Sequence, residues 1–296
     1  MNASVLLGMV TALIMPSRKW PHVVMVSWEE HFQERYSQAR RGRGTFHCRQ
    51  VRDLTTLELG NRFSLVVAVD SDGGIGPRQN DVVKVSDYLL GRFAMRVPLM
   101  EIRCCGALPL AAFDMLTVPL DQGGSEIIRG LRAELMEADL AEDFPLSGST
   151  EENVPTSMTG VGTTLLGLVH EDDFRPGTSR AEDVVLCAGL PKSAPDDEVR
   201  LDDKENVRHS HIRALLGLQG VHDLLPVGSH GILYEAKEMA TSAELGFVES
   251  QGVDLDLRKS AGPSTCALVS VGVPESASVA GLLDVPVTEV GRLVML

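Results

Sequence analysis

Aromatic and basic residues are both in short supply in this sequence. Its 296 residues include 2 Trp, 3 Tyr and 8 Phe, too few to indicate the stacked aromatic platforms that bind single-stranded nucleic acids or sugars. Lys and Arg number 27 against 41 Asp and Glu, which leaves a formal net charge of −14. Because such a chain repels phosphate backbones and anionic lipids, we expect neither general nucleic-acid binding nor binding to a membrane surface. A local basic pocket for one anionic ligand stays open.

Cysteine is also sparse, and the 5 residues present are scattered, with no CxxC pair. The neighbours Cys104 and Cys105 do not suit a structural zinc site and are expected to pack as small apolar side chains. A disulfide framework is not indicated, so the composition predicts a reducing, cytoplasmic setting. His209 and His211 have no Cys or carboxylate partner at a familiar zinc-ligand spacing, and we expect them in a solvated loop.

The N-terminal apolar run, residues 3–15, is too short to span a bilayer. Its positive charges follow it, at Arg18 and Lys19, and no small-residue cleavage site stands out, so a signal peptide is not indicated. We interpret the run as an overlong start, with Met9, Met15 and Met25 as candidate first residues. A membrane anchor is the alternative.

The rest of the chain alternates between extended and helical patterns, and its length suits two domains. Residues 27–44 predict a polar helix whose basic end is either a phosphate-contacting arm or a solvated terminus. Further patterns predict strands over 63–69, 111–119, 159–169 and 266–271, and helices over 81–100, 125–138, 210–218 and 232–244. The Asp-rich segment 191–208 is expected to be a loop. Neither a GxxxxGK[ST] loop nor a GxGxxG fingerprint is found, so a P-loop or Rossmann site is not supported.

An acidic, glycine-dense segment, Asp70-Ser71-Asp72-Gly73-Gly74-Ile75-Gly76-Pro77, follows the first buried strand pattern. Glycines let backbone N–H groups approach phosphates, and carboxylates hold Mg²⁺, so the segment indicates a metal–phosphate site. The alternative is an ordinary Asp-Gly turn at a strand end.

Three segments make the chain resemble the aminoimidazole ribonucleotide synthetase-like (PurM-like) superfamily over residues 45–296. They are Asp72-Gly73-Gly74-Ile75-Gly76, Glu101 followed by Gly106-Ala107-Leu108-Pro109-Leu110, and the loop from Gly148 to Pro155. In the second segment, Met100 and Glu101 stand where the family has Asn and a metal-binding Asp. In the third, the register leaves open which of Glu151, Glu152 and Asn153 takes the family role.

Within the superfamily the chain looks most like the α-ribazole kinase branch. The similar segments are Val51-Arg52-Asp53-Leu54, Asn80-Asp81-Val82-Val83-Lys84-Val85, Thr159-Gly160-Val161-Gly162 and Ser260-Ala261-Gly262-Pro263-Ser264-Thr265. The resemblance implies a two-domain α/β (α+β) protein, with a leader and helix over 1–44, an ATP- and Mg²⁺-binding domain over 45–170 and a second domain over 171–296. It also implies a homodimer, in which the first domains share a β-barrel.

The reaction implied is transfer of the γ-phosphoryl group of ATP to the 5′-hydroxyl of a riboside. The acceptor implied is α-ribazole, in the activation of the cobamide (vitamin B12) lower ligand. Phosphoryl transfer of this kind depends on positioning and charge neutralisation more than on covalent catalysis. Two alternatives stay open: a non-catalytic or maturation-type ATP-binding partner protein, and a thiamine-phosphate-type kinase.

The resemblance also implies roles for individual residues. It implies catalytic roles for Asp72, Glu152 and Asn153, and metal ligation by Asp72, Asp81 and Glu101. It implies nucleotide binding by Asp70, Gly73, Gly74, Gly76, Lys84, Gly148 and Glu151. Other interpretations are an exposed helix face for Lys84 and N-terminal capping of the next element for Glu151 and Glu152. His230, within Gly228-Ser229-His230-Gly231, is expected to contact a ligand, because glycines there permit close backbone approach.

Overall fold

The computed structural model describes residues 28–42 and 47–296. Helix α1 (Trp28–Arg40) belongs to one compact unit, and Phe46–Leu296 form another. The helix predicted over 27–44 is confirmed along α1, and its basic end at Arg40 and Arg41 is exposed. The apolar run at 3–15 and the candidate start residues lie outside the described part of the chain.

A six-stranded sheet occupies the first half of the larger unit. Its strands are β1 (Cys48–Val51), β2 (Leu54–Gly60), β3 (Phe63–Gly73), β4 (Leu108–Leu116), β5 (Leu146–Thr150) and β6 (Gly160–His170). They lie in the order β1-β2-β3-β6-β4-β5, antiparallel throughout except for the parallel pair β4 and β5. β3 pairs with β6 from Phe63 to Gly73. The acidic residues predicted to follow the strand are therefore part of it, because β6 supplies partners to the end.

Two helices, α2 (Asp87–Cys104) and α3 (Gly124–Glu137), pack on one face of this sheet. Side chains alternate along a strand, so Val66 and Ala68 of β3 face the helices and share a core with Leu99 of α2. The opposite face leaves Val69 63% and Leu108 61% exposed. The six-stranded sheet thus has one buried and one open apolar face.

The start of α2 differs from the prediction of a helix over 81–100. It begins at Asp87, where the Oγ of Ser86 accepts a hydrogen bond from the Leu89 N–H at 3.2 Å and caps the helix. The segment before it is held as a loop by contacts of Asp81, described below.

A five-stranded antiparallel sheet follows in the second half. Its strands are β7 (Val184–Ala188), β8 (Val221–Pro226), β9 (Leu245–Glu249), β10 (Ala267–Val271) and β11 (Val287–Met295), in the order β8-β10-β7-β11-β9. The helices of this half are α4 (His209–Leu216), α5 (Ile232–Ser242) and α6 (Ser276–Leu282). Both faces are covered, since Val184 joins a core with Ile212 of α4 while its neighbour Val185 joins another with Met239 of α5.

The other predicted elements are present, with ends that differ by a few residues, and 191–208 is a loop as expected. Within residues 28–42 and 47–296, no helix combines the length and the apolar character needed to cross a membrane.

Helix α2 contributes to the cores of both halves. Its Leu99 and Ile102 pack in the core under the six-stranded sheet, whereas Met100 and Cys104 pack against Val184 of the five-stranded sheet. Cys104 and Cys105 are buried free thiols, which confirms their predicted packing role.

The prediction of a solvated loop around His209 and His211 was wrong. Both lie in the first turn of α4, where they are only 3% and 6% exposed. His209 Nε2 lies 2.8 Å from Glu134 Oε1, and His211 Nε2 lies 2.6 Å from Asp284 Oδ1. Their carboxylate partners come from distant parts of the chain, so sequence spacing does not reveal them.

Candidate active site

A cleft of about 1120 Å³ opens between the two halves of the larger unit. One wall is a face of α2, because Leu89, Phe93, Val97 and Glu101 recur every four residues and all border the cleft. The facing wall comes from loops of the second half, around residues 193–202, 228–229 and 260–264. A cleft of this size accommodates a nucleotide-sized ligand.

The end of β3 brings two carboxylates into the cleft. Asp70 and Asp72 continue the alternation of Val66 and Ala68, so they lie on the helix-facing side of the strand. Beyond the core that side borders the cleft. Asp70 and Asp72 therefore reach the cleft because the buried strand continues into these acidic residues.

The carboxylate of Asp72 is in an unusual electrostatic position. Burial, together with the nearby charge of Asp70, raises the pKa of Asp72 to about 7. Its Oδ2 atom is buried and finds no hydrogen-bond partner among the described residues. Burial also raises the pKa of Asp70, against a hydrogen bond from the Ser71 N–H. Two neighbouring carboxylates that are both hard to ionise indicate a site for a positive charge.

Glu101, Asp53 and Glu235 form a second acidic cluster near the first. Burial, reinforced by Asp53 and Glu235, raises the pKa of Glu101 well above its ordinary value, while Arg52 opposes the shift. Burial and Asp53 likewise raise the pKa of Glu235 to about 7. The three carboxyl groups come from the β1–β2 turn, α2 and α5, so only the folded chain brings them together.

Arg52 fixes the turn that carries Asp53. Its guanidinium, 3% exposed, forms an ion pair with Asp223 of β8 and donates to Ser242 Oγ at 2.7 Å. Arg52 itself has a positive φ of 54°. The turn of the first half is therefore anchored on the second half beside the cleft.

Solved structures share this architecture, although no protein-family model and no curated protein matches the sequence. Thiamine-monophosphate kinase from Stenotrophomonas maltophilia K279a has a TM-score of 0.56 at 16% identity, over 89% of this chain and 93% of that chain. T. maritima PurL complexed with AMPPCP has a TM-score of 0.60 at 16% identity, over 90% of this chain and 45% of that chain. E. coli HypE, a hydrogenase maturation protein, has a TM-score of 0.56 at 15% identity, over 78% and 80%. The chain has the PurM-like fold.

The two sheets with their helices, together with the shared fold, confirm the predicted mixed α/β (α+β) architecture, whereas the dimeric β-barrel stays a prediction. At identities of 14% to 16% the likeness shows the fold alone. The α-ribazole kinase branch therefore stays a prediction.

The glycine segment forms a tight loop next to Asp72. Gly74 and Gly76 have φ of +72° and +146°, and a Cβ at Gly76 would lie 2.6 Å from Thr159 Oγ1 and 2.7 Å from Asp81 Oδ2. Gly76 is thus required by close approach as well as by backbone conformation. Gly73, the last residue of β3, has open space around it.

Asp81 does not line the cleft that the described residues form. Its Oδ1 accepts from Thr159 N–H at 2.7 Å, and its Oδ2 accepts from Thr159 Oγ1 at 2.7 Å and Arg78 N–H at 2.8 Å. Burial alone would raise the pKa of Asp81, but these hydrogen bonds outweigh it and the pKa is lowered. Asp81 holds the loop in shape. Its metal-binding role stays a prediction that this geometry does not favour.

Lys84 lines the same cleft as Asp70 and Asp72. Its ammonium donates to the backbone carbonyls of Arg78 and Gln79, the latter at 3.1 Å. The backbone thus holds the Lys84 ammonium, whose charge helps to lower the pKa of Asp81.

The segment from Gly148 to Asn153 is not brought to the cleft within residues 47–296. Gly148 is a strand residue whose Cβ would lie 2.4 Å from Asp114. Glu151 accepts from Asn153 N–H at 2.7 Å, and Glu152 accepts from Leu120 N–H at 3.0 Å. These hydrogen bonds engage both carboxylates within the protein, but they do not cap the next element, which is strand β6. The predicted catalytic and nucleotide-binding roles of this segment stay predictions without geometric support.

The second half supplies cleft residues that sequence reasoning did not assign. Ser193, Ser229 and Ser264 line the facing wall, whereas His230 lies against the Tyr234 ring, 4.7 Å between centroids. The four-residue spacing of Leu89, Phe93, Val97 and Glu101 is visible in the sequence and indicates one face of α2. Asp53 lies in the segment Val51-Arg52-Asp53-Leu54 but was assigned no role, and Glu235 carried no signal.

The acidic pair fits Mg²⁺ better than it fits an all-protein metal site. Among the described residues, no group of three or more His, Cys, Asp and Glu side chains is arranged to hold a metal ion. In nucleotide sites Mg²⁺ is commonly bound through one or two carboxylates, with phosphates and water completing its shell. Asp70 and Asp72 match that habit, and the unpartnered Oδ2 of Asp72 is the atom that a cation would satisfy.

Proposed function

We propose that the protein is an ATP-dependent phosphotransferase that phosphorylates the 5′-hydroxyl of a riboside, with α-ribazole as the acceptor. The observation that carries the proposal is Asp72, a cleft carboxylate with a pKa raised to about 7 and one buried oxygen without a partner among the described residues. A group in that state is stabilised by a bound cation, and Mg²⁺ accompanies ATP in phosphoryl transfer.

The nucleotide is supported by the fold and by the cleft. PurL was solved with AMPPCP and HypE with ATP, and both share the fold of this chain. Leu89, Phe93 and Val97 form an apolar strip on α2 that suits a flat base. Asp70 and Asp72 would hold Mg²⁺, which when bound neutralises phosphate charge and aligns the γ-phosphoryl group.

The protein's own groups then act by position and charge. Lys84 provides a cation in the cleft that would neutralise phosphate charge. Burial raises the pKa of Glu101 well above its ordinary value, so this carboxyl group favours its neutral form more than an exposed glutamate does. The acceptor itself is proposed from the four segments that resemble the α-ribazole kinase branch.

The test is ATP consumption by the purified protein with Mg²⁺, with and without α-ribazole. We expect α-ribazole to stimulate turnover in the wild type, and Asp72→Asn to reduce it by about a hundredfold or more, because the carboxylate that would hold Mg²⁺ loses its charge. Asp254→Asn is the matched control, since Asp254 is exposed and does not line the cleft; this variant should keep wild-type turnover.

Two other outcomes would replace the proposal. Turnover stimulated by thiamine monophosphate but not by α-ribazole would support the thiamine-phosphate-type kinase, an alternative favoured by the thiamine-monophosphate kinases that share the fold. ATP binding without turnover on either acceptor would support an ATP-binding partner protein.

The open face of the six-stranded sheet supports a homodimer. Val69 and Phe113 both lie opposite Thr164 of β6, so they are neighbours on one face, and Leu108 and Met115 are exposed on the same strand as Phe113. A row of exposed apolar side chains on a sheet favours burial against another protein surface. A second copy of the chain, joined through this face, is the proposed occupant.

A further inference from the structure

Arg96 is a buried cation whose hydrogen bonds cross from one half of the larger unit to the other. The residue is 7% exposed and lies on α2. Its Nε donates to the carbonyl of Pro263 at 3.2 Å, and its Nη2 donates to the carbonyls of Ser264, at 3.2 Å, and Val207. One guanidinium of the first half therefore binds three backbone carbonyls of the second.

Pairing with Glu134 does not by itself explain a buried Arg96. Glu134 of α3 already accepts from Arg92 Nε at 2.6 Å and lies 2.8 Å from His209 Nε2. The contact of Arg96 Nη1 with the same carboxylate is looser, at 3.6 Å. Since a buried ion pair is weak evidence for stability, the closer contacts of Arg96 with the carbonyls are the ones that need an explanation.

Two of those carbonyls, of Pro263 and Ser264, belong to a wall of the cleft. Ser260, Gly262, Pro263 and Ser264 all border it. The segment is closed by a hydrogen bond from Thr265 N–H to the Ala261 carbonyl at 2.9 Å. It is tied to neighbouring loops by hydrogen bonds from Ala261 N–H to Gly228 O, at 3.1 Å, and from Val207 N–H to Thr265 O, at 2.8 Å.

We infer that Arg96 is a positioning residue that fixes the 260–264 wall of the cleft against α2. The face of α2 next to Arg96 carries Phe93 and Val97, which form the opposite side of the same cleft. Arg96 thereby sets the distance between two walls that would enclose a ligand. Its effect on nucleotide affinity rests on the proposed function, whereas its effect on the order of the wall does not.

The direct test is amide hydrogen exchange of the unliganded protein, comparing Arg96→Met with Arg92→Met. Both variants remove one guanidinium that faces Glu134 from the same helix, but only Arg96 contacts the wall. We expect exchange at Ala261, Thr265 and Val207 to accelerate about ten- to a hundredfold in R96M, because hydrogen bonds to a charged donor are lost. In R92M these amides should stay within about twofold of wild type. Equal acceleration in both variants, or none in R96M, would overturn the inference.

Arg96→Lys is a second variant that tests the inference even if R96M fails to fold. Lysine keeps a cation opposite Glu134, but its single ammonium cannot reproduce the fork that reaches three carbonyls. The 260–265 amides should therefore still exchange faster than in wild type. Wild-type protection in R96K would show that charge alone suffices and that Arg96 does not position the wall.

AMPPCP binding by calorimetry provides the functional readout. We expect R96M to weaken AMPPCP affinity about tenfold and R92M to leave it unchanged, since a displaced wall removes a contact surface. Unchanged affinity in R96M, despite a loosened wall, would contradict the link to the ligand. Failure of the wild type to bind AMPPCP would count against the proposed function instead, and the exchange comparison would still decide the role of Arg96.

Discussion

Asp72 should make the unliganded protein less stable as pH rises, and Asp72→Asn should remove that penalty. The pKa of Asp72 is raised from 3.8 to about 7, first by burial and then by Asp70. Between these two values the folded state holds a proton that the unfolded state has released, so the free energy of unfolding falls with increasing pH. From pH 5 to pH 7 the loss is two pH units at about 1.4 kcal/mol each, or at most about 3 kcal/mol. Above pH 7 it stays constant.

The assay is urea denaturation of wild type and D72N, without nucleotide and with EDTA, at pH 5 and pH 8. D72N should gain about 3 kcal/mol relative to wild type between the two pH values. In thermal unfolding that corresponds to about 6–12 °C for a chain of this size. Asp254→Asn controls for the loss of an exposed carboxylate. An identical D72N-minus-wild-type difference at pH 5 and pH 8 would refute the reasoning, because it would mean that Asp72 ionises at its ordinary pKa.

Three further predictions concern the loop, the buried ion cluster and the open sheet face. Gly76→Ala should lower the free energy of unfolding by at least about 2 kcal/mol, because the added Cβ would lie 2.6 Å from Thr159 Oγ1. The control is Gly252→Ala, where φ is +70° and a Cβ would have nothing within 4 Å. It should lower the free energy of unfolding by only about 1 kcal/mol in the same urea titration. Burial opposes ionisation of Glu134, but His209, Arg96 and Arg92 outweigh burial and lower the pKa of Glu134 from 4.5 to about 2. The stabilisation by ionised Glu134 is therefore complete above pH 4.5 and should disappear as pH falls toward 2. Acid titration of wild type and Glu134→Gln will measure this loss, and a constant stability difference over that range would contradict the prediction. Phe113→Glu should convert a dimer to a monomer in light scattering, whereas Leu282→Glu, at an exposed apolar position on α6, should not; an unchanged mass for the Phe113 variant would count against the sheet face as the interface.

The sequence reveals the acidic pair because the relevant physics is local. A β-branched run predicts β3, and strand alternation then places Asp70 and Asp72 on the side of Val66 and Ala68. The same locality explains the successes with α3 and α4, whose apolar periodicity reflects one buried face.

Other parts of the site depend on contacts that no local pattern encodes. Asp53 and Glu235 approach Glu101 only because the β1–β2 turn is anchored on the second half through Arg52. Conversely, Glu151 and Glu152 look like site residues in the sequence. In the structure their oxygens are engaged by neighbouring N–H and O–H groups. Similarity of residue type in a loop does not fix where its side chains point.

Because α2 contributes to the cores of both halves, cutting the chain between the halves should leave each core incomplete. A fragment ending at residue 170 would keep α2 but leave Met100 and Cys104 without the apolar cover that the five-stranded sheet provides. A fragment beginning at residue 171 would lose those two side chains from its own core. Neither fragment has a complete core by itself. The larger unit should therefore melt in a single calorimetric transition, and separately produced halves should regain structure only when they are mixed.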